Sequence, residues 1–270
     1  MTIAVGFKCI DGVVLATDSQ YTMNPAKFAG QKIFPIASNG HYALTIAGAG
    51  GVSNMKAAVR NIESALKKDI GAKPATTSQI QDIVEGVLSI LYPKHVDTAP
   101  AEKREYLEFN LLVGIWTAQE RASLFYSDRM TLNEVKVPNH QCLGIGSYLA
   151  AYLTDVLSAP GMSVEEAKPL AAYIVWAAKE YVEGVGGHTF VRVLLDNGAD
   201  VRPWPEEVKD GEEFYRAFFD DMRHFRGFLT PAFAPEAIDM APYAKIFRDR
   251  IMEFREKQKK RKDLQAKHKK

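Results

Sequence analysis

Hydrophobic periodicity switches five times along this chain, and that alternation limits the folds open to it. Residues 2–10 are rich in β-branched and apolar side chains, Asp11-Gly12 reads as a hairpin turn, and residues 13–18 resume the strand. A polar loop with Pro25 and Gly30 follows, then strands at 32–36 and 41–47 around the turn residues Ser38-Asn39-Gly40. Gly48-Ala49-Gly50-Gly51 breaks the strand pattern. Beyond it Met55, Ala58, Val59, Ile62 and Leu66 recur at intervals of three and four, the period of an amphipathic helix. Thr76-Thr77-Ser78 offers N-caps for a second helix over 79–91. Strands return at 109–117, 122–126, 134–137 and 141–145. Helices are expected over 147–157 and 164–181, the latter opened by a Ser163/Glu166 capping box, and a last strand over 188–195 ends at Asp196-Asn197-Gly198.

Strands, two helices, strands, two helices and a strand make an α+β chain with two antiparallel sheets and helices outside them. This is a four-layer αββα arrangement, assigned here to residues 1–202. Beyond Trp204 the pattern changes: Phe214, Phe218, Met222, Phe225 and Leu229 recur at helical spacing, Pro231 and Pro235 interrupt, and Glu236 opens a helix through Tyr243, Phe247 and Phe254. Residues 203–270 therefore read as an αα extension ending in a basic tail. Its aromatic stripe is expected either to pack on the chain's own core or to dock another subunit.

At 270 residues, with 47% hydrophobic and 25% charged residues, the chain has the composition of an ordinary globular protein. Its net charge of +1 conceals an uneven distribution. Residues 255–270 hold nine Lys/Arg against two Asp/Glu, a local +7 that leaves −6 on the rest. The basic end is expected to be a solvated helix or disordered, with an acidic neighbour as the next reading; nucleic acid is not expected, because no aromatic-basic face accompanies the run. Lys8 and Asp11 interrupt the apolar start, and the longest apolar window is far short of a bilayer span. No membrane segment and a cytoplasmic location are expected. Cys9 and Cys142 lie in strand-like runs, too few for a disulfide framework and without metal-ligand spacing, so neither metal nor cofactor is expected.

Taken singly, the polar residues are ordinary. Gly48-Ala49-Gly50-Gly51 opens a helix and could hold an anion on its backbone N–H groups, yet it lacks both the P-loop ending and the Gly-x-Gly-x-x-Gly fingerprint. Asp18 ends a strand and Lys32 begins one. Together they change meaning. The run Thr2-Ile3-Ala4-Val5-Gly6-Phe7, then Asp11-Gly12-Val13-Val14-Leu15-Ala16-Thr17-Asp18-Ser19, Lys32-Ile33-Phe34-Pro35-Ile36 and Leu44-Thr45-Ile46-Ala47-Gly48 resembles the opening of proteasome β subunits, members of the Ntn-hydrolases. The stretch from Asp18 to Lys32 is slightly shorter than the family's usual one, and that from Lys32 to Gly48 slightly longer.

The resemblance implies roles by position. Thr2 would be the N-terminal nucleophile once Met1 is removed, Lys32 the cation beside its hydroxyl, and Asp18 the carboxylate orienting Lys32. The Gly48 N–H would serve an oxyanion, and the backbones of Thr22 and Gly50 would pair with an extended peptide. The chemistry is self-consistent. A Thr hydroxyl needs a base within reach, and a free α-amino group titrating near ~7.7–8 supplies one that an internal Thr lacks. Where the family carries a polar cluster near the nucleophile, this chain has Ile145 within Gly144-Ile145-Gly146, and Val182 and Val185 before Gly186-Gly187, with Glu183 adjacent. The implied activity is threonine-type peptide-bond hydrolysis of a peptide or unfolded-protein substrate through an acyl-enzyme on Thr2. The setting would be a self-compartmentalised homo-oligomer with a possible ATPase or adaptor partner. A transpeptidase or protein ligase using the same acyl-enzyme, and a noncatalytic structural subunit, are the alternatives.

Overall fold

The computed structural model describes residues 2–23, 26–36, 40–136, 139–229 and 241–268. By chain contacts they divide into two compact units, Met1–Pro203 and Trp204–Lys270.

The first unit opens with β1 (Ile3–Lys8) and β2 (Gly12–Thr17), paired antiparallel about the Asp11-Gly12 turn. The segment read as a polar loop is instead a hairpin of β3 (Gln20–Met23) and β4 (Ala26–Ala29). All four residues of β4 are exposed, so the hydrophobic alternation that marks a strand is missing there. Next come β5 (Ile33–Ile36) and β6 (Tyr42–Gly50). The glycines do not end this strand at Gly48, because β6 pairs with a later strand, β7, through Gly48↔Leu111 and Gly50↔Phe109.

Helices α1 (Val52–Asp69) and α2 (Thr77–Tyr92) follow; Thr76 and Gln79 form a capping box at the start of α2. A π-helical turn (Pro93–Asp97) and α3 (Ala101–Leu107) were not anticipated. α3 buries none of its residues and so carries no apolar period. The second run of strands is β7 (Phe109–Thr117), β8 (Glu120–Asp128), β9 (Thr131–Glu134) and β10 (His140–Gly144). β9 lies earlier than the expected 134–137, where its partner β8 supplies the ladder; Val137 is outside the described residues. Helices α4 (Ser147–Leu157) and α5 (Val164–Tyr181) precede β11 (Phe190–Leu195) and β12 (Asp200–Val201). At the head of α5 the Glu166 carboxylate accepts the Ser163 N–H at 2.8 Å.

Two five-stranded sheets result, ordered β10-β1-β2-β11-β12 and β5-β6-β7-β8-β9, with β3-β4 apart. Side chains of β6 alternate between two cores. Leu44 and Ile46 join Met55, Ile62, Ile80 and Leu88 of α1 and α2, whereas Ala43, Ala47 and Ala49 join Ala4, Val13 and Leu15 of the opposite sheet. α4 and α5 pack on the outer face of the β1-β2 sheet. The order is helix, sheet, sheet, helix. Burial on both faces explains why β2 is buried at all six positions.

The second unit holds α6 (Pro205–Leu229) and α7 (Ala241–His268). α6 starts well before Glu212, with Pro205 at its first position and Glu206 and Glu207 in its first turn, groups that suit a helix N-terminus. The Phe214 ring lies 4.5 Å from that of Phe254, tilted to it, and Phe218 lies 5.3 Å from Phe247, so these two stripe residues pack against α7. The side chains of Met222, Phe225 and Leu229 are outside the described residues, as is the predicted helix start at Glu236. The basic run is helical to His268.

Candidate active site

Antiparallel pairing of β1 and β2 sets Ala4 opposite Thr17, which brings Thr2, just before β1, beside Asp18, just after β2. The β3-β4 hairpin then returns the chain, closed by Gly30 N–H donating to Ser19 O at 2.8 Å, so that Lys32 enters at the same corner. Thr2, Asp18 and Lys32 are all buried.

The Asp18 carboxylate is saturated with donors. Its Oδ1 accepts from Thr2 Oγ1 at 2.6 Å, Lys32 Nζ at 2.7 Å and Ile3 N at 3.1 Å. Its Oδ2 accepts from Gln20 N and Gly186 N, each at 3.2 Å. Backbone N–H groups and an ammonium together give this buried carboxylate the partners that burial would otherwise deny it. Lys32 Nζ has three protons and three partners: Asp18 Oδ1, Gln20 O at 2.6 Å, and Thr2 Oγ1. Burial pushes the Lys32 pKa below its ordinary value, and the Asp18 carboxylate works against that shift. The Thr2 hydroxyl therefore sits between a carboxylate that takes its proton in a hydrogen bond and an ammonium that favours a developing alkoxide.

Gly144 completes the corner. Its φ of +93° and the Thr2 carbonyl oxygen, which a Cβ would strike, leave room only for glycine where β10 ends against Thr2.

The remaining predicted residues divide. Gly48 is brought beside Lys32, but its N–H donates to the Lys32 carbonyl at 3.1 Å. An oxyanion at Gly48 would have to take over a donor already in use. Thr22 lies in β3 opposite Lys27, and Gly50 ends β6 opposite Phe109, so the two belong to different sheets. Val182 and Val185 are buried and apolar, Glu183 is exposed, and Ile145 is 46% exposed. At this corner Asp18 is held by main-chain N–H groups, including that of Gly186. The Gln20 carbonyl, the Gly186 N–H and the Ser19 hydroxyl, which accepts His188 N–H at 2.7 Å, were missed in the sequence. Two of the three act through the backbone and leave no side-chain signature. Among the described residues no group of three or more His, Cys, Asp or Glu is placed to hold a metal.

An αββα sandwich with Thr2, Asp18 and Lys32 converging at one corner defines the Ntn-hydrolase class of folds. Within that class the family profile named Proteasome subunit matches residues 2–193, and this chain belongs to the proteasome subunit family, on the β-subunit side. A similar protein is proteasome subunit beta 2 of Pyrobaculum aerophilum, 30% identical over 203 residues that cover 73% of this chain and 90% of that one. Among solved structures, an Anbu (Gly-1) mutant from Hyphomicrobium sp. strain MC1 superposes with a TM-score of 0.70 at 16% identity, covering 88% of this chain and all of that one. The helical assembly of the Anbu complex from Pseudomonas aeruginosa gives 0.69 at 16% identity, covering 88% and 99%. At such identity these two establish the fold alone. No described helix is long and apolar enough to cross a membrane.

Proposed function

We propose that the chain is an N-terminal-nucleophile threonine peptidase that hydrolyses peptide bonds through an acyl-enzyme on Thr2. The observation that carries this reading is the buried convergence of Thr2 Oγ1, Asp18 Oδ1 and Lys32 Nζ. With Met1 removed, the Thr2 amine takes the hydroxyl proton, the oxygen attacks the scissile carbonyl, and Lys32 stabilises the charge that develops. Asp18 holds Lys32 charged and aimed. The leaving amine departs with a proton, and water then releases the acyl group. Gly48 supplies the oxyanion donor by exchanging its bond to Lys32 O, while Thr22 and Gly50 flank the bound peptide. A complex of Anbu, a structural neighbour, forms a helical assembly; we assign this chain to a homo-oligomer as well, with the second unit as a contact element.

The rival is a noncatalytic subunit, favoured by the engaged Gly48 N–H and the apolar Val182 and Val185. One experiment separates them: N-terminal sequencing of purified protein together with fluorogenic peptide turnover. Thr2 is expected at the N-terminus, and Thr2→Ala is expected to lose about 10³-fold or more of the activity, as triad deletions do. Full activity from protein that keeps Met1, or from Thr2→Ala, would overturn the assignment. Release of acyl product to an added amine in place of water would turn the reading to a transpeptidase.

A further inference from the structure

Ser19 lies between Asp18 and Gln20 and is only 1% exposed. It joins stretches of chain that are far apart in sequence. Its hydroxyl oxygen accepts the His188 N–H at 2.7 Å, its carbonyl accepts the Gly30 N–H at 2.8 Å, and its own N–H donates to Gly186 O at 3.2 Å. Gly30 stands two residues before Lys32, so the entry that delivers the ammonium is tied to the residue that follows Asp18.

The segment 186–188 forms the other side of this node. Gly186 O also accepts the Gln20 N–H at 3.0 Å, and Gly186 N–H donates to Asp18 Oδ2 at 3.2 Å. The segment is shaped around the Ser19 hydroxyl: Gly187 has a φ of +77°, and a Cβ on it would come within 2.3 Å of Ser19 Oγ. Val182 and Val185, just before it, are buried and apolar and have no polar side-chain group to offer the carboxylate. What reaches Asp18 from here is a main-chain N–H, and a main-chain donor goes only where its backbone is anchored. At 3.2 Å the bond from Gly186 is at the long end of its range, so a displacement of about half an ångström breaks it.

We propose that Ser19 is a positioning residue for the reaction at Thr2. By anchoring the His188 N–H its hydroxyl holds the Gly186 N–H on Asp18, and Asp18 in turn holds the Lys32 ammonium against the Thr2 hydroxyl. The polar support of the site thus comes through the backbone of this segment and one serine hydroxyl. This inference rests on Thr2 being the nucleophile.

The test measures kcat and KM on a fluorogenic peptide for the processed full chain as wild type, Ser19→Ala, Ser19→Thr, Gly187→Ala and Thr2→Ala, with folding of each checked by its thermal unfolding transition. Ser19→Ala is expected to lower kcat about tenfold to a hundredfold, the scale on which a small misplacement slows a reaction. Its KM is expected to stay within about threefold, because the lost support acts on the reacting groups and not on substrate binding. Ser19→Thr keeps the hydroxyl and is expected to restore most of the rate. Gly187→Ala attacks the same contact from the other side and is expected to lose kcat likewise, which keeps the role testable where Ser19→Ala does not fold. Wild-type kcat in folded Ser19→Ala or folded Gly187→Ala, with or without lost thermal stability, overturns the role of Ser19 and leaves Thr2 as nucleophile standing. A kcat in folded Ser19→Thr as low as in Ser19→Ala does the same. Turnover that persists in Thr2→Ala, or none by processed wild type, overturns the Thr2 reading, and this inference falls with it.

Discussion

Two clusters in the first unit contain comparable residue types and differ in what the fold does with them. In one, Thr2, Asp18 and Lys32 meet in a buried corner. In the other, His140 and Cys142, on one face of β10, meet Thr154 and Asp155 of α4: His140 Nε2 is 3.1 Å from Asp155 Oδ1 and Cys142 Sγ is 3.7 Å from Thr154 Oγ1. Both have a nucleophile type, a basic group and a carboxylate. The carboxylates separate them. Asp18 is fully buried with five donors, three of them main-chain, while the Asp155 side chain is 65% exposed and shares its charge with water. Burial pushes the Cys142 thiol up to about 12, and burial lowers the His140 pKa against the opposing pull of Asp155. At neutral pH its thiol and imidazole are uncharged and pack between β10 and α4, with the Asp155 carboxylate at the solvent edge. A list of chemical residue types does not distinguish the two clusters; a buried charge fixed by backbone donors does.

The comparison breaks hardest at the buried pair. Asp18→Ala and Lys32→Ala each strand an opposite charge in the interior and are expected to destabilise by about 3–5 kcal/mol, with the double variant well short of the sum. Asp155→Ala, which removes an exposed carboxylate, is expected to cost no more than about 1 kcal/mol. Denaturant unfolding of the four variants checks both, and additive losses for Asp18 and Lys32 would contradict a coupled pair. A smaller effect sharpens the other cluster. Cys9 and Cys142, both pushed by burial to about 12 from 9.0, should alkylate with iodoacetamide at pH 8 roughly a thousandfold more slowly in native protein than in urea. Rapid native labelling of Cys142 would mark it as reactive after all.

The smallest effect is in pH dependence. The folded His140 pKa lies below 6.5, so the unfolded chain takes up a proton first as pH falls. Stability from this group is present above about pH 6.5 and is lost as pH drops from there to the lowered folded pKa. His140→Gln should flatten that part of the stability profile; an unchanged slope would assign the acid sensitivity elsewhere.

How much was legible follows from where each signal resides. α1 was readable because its apolar face repeats every three or four residues, and α2 and α5 because Thr76-Thr77-Ser78 and Ser163 with Glu166 mark their starts. β4 and α3 were not, since neither buries any of its residues and so neither carries a period. The early start of α6 escaped because its first turn is marked by Pro205, Glu206 and Glu207, not by apolar residues. At the candidate site, Thr2, Asp18 and Lys32 could be picked out because their side chains stand in a recognisable run. The Gln20 carbonyl and the Gly186 N–H could not, as every residue but proline offers the same main-chain groups.

The sequence by itself determined the layer order, through local periodicity, and singled out Thr2, Asp18 and Lys32, through the run that resembles proteasome β subunits. Only the tertiary structure decided what surrounds them. It continued β6 through Gly50 by pairing it with β7, engaged the Gly48 N–H with Lys32, supplied Asp18 with main-chain donors from Ile3 and Gly186, and set the Tyr21 ring beside the Lys32 ammonium. The reason is physical: each of these depends on groups brought together from separate segments, and neither a main-chain hydrogen bond nor an occupied volume is written in the residues of any one of them.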